Sequence, residues 1–191
     1  MGELVEVLNM CIDYTDRIRE LETHAYIGRP AATIDEAIKE SRELKAIWDT
    51  GAFGTSITPR LADELGLIQS SETTIIGVTG SCLSRVFLIS LFLPNGVIIP
   101  ELEVSECPGD IGCDMLIGMD VITRGDFAIS HKDGKTVFSY RVPSLERIDF
   151  TNPNSYGGSA LKQPKIPRNS PCPVVVVRNI SIVTERYSIR K

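Results

Sequence analysis

The residue best suited to chemistry is Asp49, which ends an apolar run and opens the sequence Asp49-Thr50-Gly51-Ala52. A carboxylate at the end of a buried strand is costly unless it has a hydrogen-bonding partner. Gly51 permits a tight turn that brings backbone N–H groups close to that carboxylate. These residues alone fit an ordinary turn after a strand as well as they fit a positioned acid.

A second motif, Leu116-Ile117-Gly118-Met119-Asp120, lies downstream and is also an apolar run that ends in glycine. A glycine-containing segment, Gly77-Val78-Thr79-Gly80, stands between the two motifs. In this order the segments resemble the retropepsin-like aspartic peptidases, in particular the bacterial members of that group. Two further stretches strengthen the resemblance, which covers roughly residues 40 to 143: Leu61 to Leu67 and Gly125 to Ile129. The ordered set is far more specific than Asp-Thr-Gly alone.

The resemblance implies a mainly β fold, a retropepsin-like half-barrel with one or two short helices that is closed by homodimerisation. It assigns Asp49 as the catalytic acid and Thr50, Gly51 and Ala52 as support for the catalytic loop. The second motif, with Leu116, Ile117, Gly118 and Asp120, would support the aspartate without taking part in chemistry. A mobile hairpin would form the flap over the substrate, and its residues are Ile76, Gly77, Val78, Thr79 and Gly80.

A single Asp-Thr-Gly motif predicts a homodimer. Aspartic peptidases need two carboxylates that share a proton, because like charges about 3 Å apart cannot both ionise. One chain supplies only Asp49, so the second copy must come from another chain across a two-fold axis. The expected activity is that of an aspartic endopeptidase acting on polypeptides. The alternative is a non-catalytic dimerisation or peptide-binding module that keeps the fold.

Composition places the chain among ordinary globular proteins and argues against a nucleic-acid or membrane partner. Of the 191 residues, 42% are hydrophobic and 24% are charged. The net charge of −5 combines −11 over residues 1–150 with +6 over residues 151–191. The tail is therefore a solvated charged segment, a segment docked on the acidic body, or an arm for an anionic partner. We expect no nucleic-acid partner, and no apolar run is long enough to span a membrane.

The cysteines and histidines predict neither disulfides nor a metal site. Five cysteines are an odd number without paired short spacings, and no leader sequence is visible, which favours free thiols in a cytoplasmic protein. Cys107 and Cys113 have no histidine at ligand spacing, because His24 and His131 are both distant in sequence. We therefore expect no metal and no cofactor.

The pattern of the chain predicts three regions: an N-terminal strand and irregular arm (1–35), the peptidase domain (36–150) and a Pro- and Gly-rich basic linker with a strand-like tail (151–191). The N-terminal strand could equally be a short helix by periodicity. Residues 35–44 have helical propensity, whereas the resemblance requires a strand from at least Glu43. The apolar tail is expected to pair with a sheet edge. Trp48 points either to the core or to the dimer interface.

Overall fold

The structure, a computed structural model, describes residues 7–77, 80–107 and 112–148, together with the backbone of residues 174–178 and 181–185. Strands dominate these ranges, and three short helices lie between them. The strands are β1 (Leu8–Tyr14), β2 (Glu22–Gly28), β3 (Arg42–Trp48), β4 (Ser56–Ile57), β5 (Gln69–Gly77), β6 (Gly80–Phe92), β7 (Val97–Glu106), β8 (Met115–Ile117), β9 (Asp126–Lys132), β10 (Lys135–Val142), β11 (Val174–Arg178) and β12 (Ser181–Glu185). The helices are α1 (Ile34–Lys39), α2 (Pro59–Glu64) and α3 (Met119–Ile122).

In the larger sheet, β3 is an interior strand. The strands of this sheet follow the order β12-β11-β7-β4-β8-β3-β2-β6-β5, and β6 also pairs with β7. Strand β3 runs antiparallel to β2 and parallel to β8. Its side chains alternate between the core and the opposite face, with Leu44, Ala46 and Trp48 buried. The carboxyl end of β3 is therefore fixed on both edges before the chain reaches Asp49.

The smaller sheet has three strands in the order β1-β10-β9. Strands β9 and β10 form a hairpin whose turn residues Asp133 and Gly134 both have positive φ, which an Asp-Gly pair adopts readily in a tight turn. The buried side of β10 carries Phe138 and Tyr140 toward the larger sheet. The mainly β fold predicted from the sequence is confirmed.

Two of the helices begin with a side-chain cap that the sequence provides. Thr33 and Thr58 accept hydrogen bonds from the backbone N–H groups of Glu36 and Leu61, and Pro59 stands in the first turn of α2. The helical propensity after residue 33 and the strand from Arg42 are both observed, one after the other. The third helix, α3, exceeds the predicted one or two, because the residues after Gly118 turn at once into a helix.

Trp48 is a core residue. Its side chain is 4% exposed, and its indole N–H donates a hydrogen bond of 2.9 Å to the hydroxyl of Thr23. Its ring lies 5.9, 5.2 and 4.9 Å from the rings of Phe127, Phe138 and Tyr140. The ring of Trp48, the residue directly before Asp49, thus packs against the aromatic side chains of the smaller sheet and joins the two sheets. Of the two predicted orientations of Trp48, the one toward the core is correct.

Both ends of the chain contribute strands to the sheets. Strand β1 pairs with β10, and β2 lies between β3 and β6, so the region 1–35 provides integral strands. Strand β11 pairs in parallel with β7 at Val97 and Ile98, as expected for an apolar tail. The predicted linker between residues 151 and 173 lies outside the described residues, and the predicted boundaries at 35 and 150 stay predictions. No helix of the described ranges is long and apolar enough to cross a membrane.

Candidate active site

Asp49 lies directly after β3, half-buried, in a loop held by backbone hydrogen bonds. Its N–H donates to the carbonyl of Ile117 at 2.9 Å, and its carbonyl accepts from Ala52 at 3.2 Å. The N–H of Gly51 donates to Asp49 Oδ1 at 2.8 Å. One carboxylate oxygen is thus fixed by the backbone, and the turn orients the side chain.

The tip of the catalytic loop is exposed. Thr50 and Gly51 are both open to solvent, and Ala52 is half-buried. A Cβ on Gly51 would lie 3.2 Å from Asp49 Oδ1, tighter than ordinary packing, so glycine leaves room for the carboxylate. Phe53 is 95% exposed, an unusual position for a large apolar side chain next to a carboxylate.

The second motif packs against the catalytic loop. Ile117 pairs with Trp48, and the N–H of Met119 donates to the carbonyl of Ala52 at 2.9 Å. Gly118 makes the closest approach: a Cβ there would lie 2.5 Å from the carbonyl carbon of Gly54. Leu116 and Ile117 occupy β8, between β3 and β4. The structure therefore brings the two sequence motifs into direct contact.

Thr55 and Asp120 lock the two segments together. The N–H and hydroxyl of Thr55 donate to the two carboxylate oxygens of Asp120 at 3.1 and 2.8 Å. The same hydroxyl accepts from the N–H of Gly118 at 3.1 Å. The sequence analysis did not identify this role of Thr55. Its signal is a hydroxyl residue six positions after the aspartate, matched to an acid two positions after the glycine of the second motif.

The predicted flap forms the end of the β5–β6 hairpin. Ile76 is 84% exposed, and Gly77 pairs with Gly80, whose φ of 132° favours glycine. Val78 and Thr79 lie outside the described residues. The role of the flap residues as substrate-binding groups stays a prediction.

Within the described ranges, no group of three or more His, Cys, Asp or Glu side chains is arranged to hold a metal ion. The four cysteines of these ranges, Cys11, Cys82, Cys107 and Cys113, are free thiols. Burial raises the pKa of the thiols of Cys107 and Cys113.

Comparison with known proteins supports this view. Residues 32–121 match the family model described as aspartyl protease, and a comparison with curated proteins found no match. Among solved structures, a retropepsin-like aspartic protease from Rickettsia conorii is 16% identical, over 73% of this chain and 98% of that one, with a TM-score of 0.45. The protease of simian foamy virus (mac) is 20% identical, over 53% and 89% of the two chains, with a TM-score of 0.34.

The matched segment contains both Asp49 and Asp120, so the part of the chain that carries the two motifs is similar to aspartyl proteases. The structural likenesses are too low to add to this finding. The match to the aspartyl protease family agrees with the aspartic peptidase resemblance that the sequence motifs predicted.

Proposed function

We propose that the protein is a homodimeric aspartic endopeptidase in which each subunit contributes one Asp49 to a shared active site. The observation that carries this proposal is the construction of the Asp49 loop. The carboxylate is held on one oxygen by the N–H of Gly51, and the loop tip faces solvent. Such a site is rigid and yet open to a second copy of itself.

The reaction uses a water molecule between the paired Asp49 carboxylates. One carboxylate takes a proton from the water as the water attacks the scissile carbonyl. The protonated partner donates its proton to the carbonyl oxygen, which gives a tetrahedral intermediate. The proton is shared by the pair and is not assigned to either Asp49 alone.

The neighbouring residues would keep this pair in place. Thr50, at the exposed tip of the loop, would hydrogen-bond across the two-fold axis and lock the two loops. Gly51 would steady the carboxylates through its N–H group, and Ala52 would leave space for the substrate. The flap residues Ile76, Gly77, Val78, Thr79 and Gly80 would cover an extended peptide, which adds to the site as a strand does.

The exposed side chain of Phe53 supports an open, self-associating site. This apolar side chain is 95% exposed and stands beside the Asp49 loop, where a docked protein surface would cover it. In the proposed dimer, this surface is the partner subunit or the bound peptide. The cytoplasmic location predicted from the free thiols stays a prediction.

Cleavage of a peptide library between pH 4 and pH 7 tests the proposal. The wild type is expected to cleave, and Asp49→Asn is expected to lose cleavage while it keeps its fold and its dimer. Asp114→Asn is a matched control, because this carboxylate lies at the other end of β8 from the catalytic loop. If a folded, dimeric wild type cleaves nothing, or Asp49→Asn cleaves equally well, the protein is a peptide-binding or dimerisation module instead.

A further inference from the structure

The flap hairpin leaves the body of the protein at one identifiable point. Strand β5 pairs with β6 alone, and along its length only Ile75 is half-buried while the other residues are exposed. Strand β6 gains its second neighbour at Val86, which pairs with Ser105 of β7. Arg85 directly precedes Val86 and is therefore the residue of the hairpin nearest to the body of the protein. We call this position the flap root.

The side chain of Arg85 ties the flap root to two other elements. Its guanidinium contacts both carboxylate oxygens of Glu106, with Nε at 3.0 Å from Oε2, and lies 3.4 Å from a carboxylate oxygen of Asp63 on α2. It also stands 5.2 Å above the ring of Phe87. A bidentate pair fixes orientation as well as distance, so the guanidinium restricts the direction in which the hairpin projects.

This pair is better sheltered than most ion pairs at a protein surface. The side chain of Glu106 is 17% exposed, and that of Arg85 is 38% exposed. The hydroxyl of the preceding residue, Ser84, donates to the carbonyl of Glu106 at 2.7 Å. Hydrogen bonding to Glu106 raises the pKa of Arg85, so the guanidinium stays charged at any working pH.

The same end of β7 also holds the catalytic loop. The N–H of Ser105 donates to the carbonyl of Thr55 at 3.1 Å, and Glu106 pairs with Ile57 of β4. Thr55 in turn binds Asp120. Two consecutive residues of β7 therefore connect the flap root on one side with the loop that carries Asp49 on the other.

We infer that Arg85 and Glu106 are positioning residues that set the angle of the flap relative to the catalytic loop. The inference rests on the proposed peptidase function, because it assigns a role in that reaction to groups that do not touch the reacting atoms. The bidentate contact holds the hairpin over the peptide, and Asp63 contributes a weaker second anchor.

The test compares Arg85→Met, Arg85→Lys and Glu106→Gln with the wild type. Methionine keeps an apolar stem over Phe87 and removes the charge, whereas lysine keeps the charge and loses the bidentate fork. Arg60→Met is the matched control, since Arg60 also bridges two carboxylates, Glu64 and Asp114, outside the flap hairpin. The measurements are kcat and KM for one peptide substrate and hydrogen exchange of the amides of residues 69–77 and 80–84.

Arg85→Met and Glu106→Gln are expected to lower kcat/KM by about tenfold to a hundredfold, because displacement of a substrate-positioning element by about 1 Å costs up to that much. The flap amides should exchange faster, whereas amides of β3 keep the wild-type rate. Arg85→Lys should recover part of both losses, and Arg60→Met should stay within about twofold of the wild type in kcat/KM, since it lies outside the positioned element.

Wild-type kinetics and wild-type flap exchange in Arg85→Met would overturn the inference, as would an equal loss in Arg60→Met. Failure of the proposed function is a separate result, because it shows as absence of cleavage by the wild type. In that case hydrogen exchange alone decides: faster flap exchange in Arg85→Met supports the anchor, and unchanged exchange rejects it.

Discussion

The catalytic loop and the flap hairpin are built in opposite ways. The loop from Asp49 to Thr55 is bounded by buried strands and joined to the second motif through Met119, Gly118 and Asp120. The hairpin from Gln69 to Arg85 exposes most of its side chains and is attached at its root. Many independent contacts hold the loop in position, whereas few contacts hold the hairpin.

This difference separates two tasks that a peptidase must combine. A shared acid pair tolerates little displacement, so its loop must not move when substrate arrives. A cover over an extended peptide must open and close, and segments that move are drawn from the least stable parts of a fold. Substitutions in the two regions should therefore differ in their effect on the free energy of unfolding.

The largest effect is expected for Trp48→Ala. Removal of this buried ring takes away contacts with Phe127, Phe138 and Tyr140 and leaves the buried hydroxyl of Thr23 without its donor. We expect a loss of about 3–5 kcal/mol in the free energy of unfolding, measured with urea. Trp48→Phe is the control and should lose clearly less. Equal stability of Trp48→Ala and the wild type would show that the cluster does not hold the loop.

The next effect is expected for Gly118→Ala. The new methyl group would lie 2.5 Å from the carbonyl carbon and 2.6 Å from the carbonyl oxygen of Gly54, so the catalytic loop must shift. We expect the free energy of unfolding to fall by about 1–3 kcal/mol. The loss in kcat/KM, expressed as an activation free energy, should be larger than this loss in stability. Gly54→Ala is the control, because its Cβ would meet open space. Full activity of Gly118→Ala would contradict the close packing of the two motifs.

Acid should weaken the sheet that carries the aromatic cluster. Burial would raise the pKa of Asp126, but hydrogen bonds from Leu145, Ser144 and Arg141 outweigh it and hold the pKa below its usual value. A lowered folded-state pKa stabilises the fold above the unfolded-state pKa of about 4, and this contribution is lost as pH falls through the folded-state value.

Urea unfolding at pH 6 and pH 3 measures this contribution. The wild type should lose more stability between the two pH values than Asp126→Asn, which lacks the titrating group. If the free energy of unfolding of the two proteins depends on pH in the same way, Asp126 does not contribute to the acid sensitivity of the fold.

The smallest effect allows the most direct comparison of the two regions. Ile117 is fully buried beside the catalytic loop, and Ile76 is 84% exposed on the flap. Ile117→Val should cost about 1 kcal/mol in unfolding, whereas Ile76→Val should stay within about 0.5 kcal/mol of the wild type. Equal costs at the two positions would mean that the flap is packed against the body.

Local sequence patterns predicted most of the fold correctly. The helix within residues 35–44 and the strand that ends before Asp49 both follow from residues that are adjacent in sequence. The orientation of Trp48 could not be derived in this way, because its partners Phe127, Phe138 and Tyr140 come from a different sheet. Packing between residues that are distant in sequence determines the orientation of such side chains, and local patterns in a single sequence do not reveal that packing.

For the candidate site, the structure shows that the two predicted motifs are in contact, whereas the roles of their residues stay a prediction. Both motifs were identified, and their contact through Gly118 agrees with the assignment of the second motif as support. Thr55 was missed because its role depends on Asp120, 65 positions later. The third helix was missed because four residues after a glycine are too few to give a periodic pattern.

Mixing of active and inactive subunits tests the central claim most directly. Wild type and Asp49→Asn are combined at fixed total concentration under conditions where subunits exchange, and cleavage is measured against the wild-type fraction. If each active site needs one Asp49 from each chain, activity falls with the square of that fraction. A linear dependence would show that a single chain carries a complete active site, which contradicts the account.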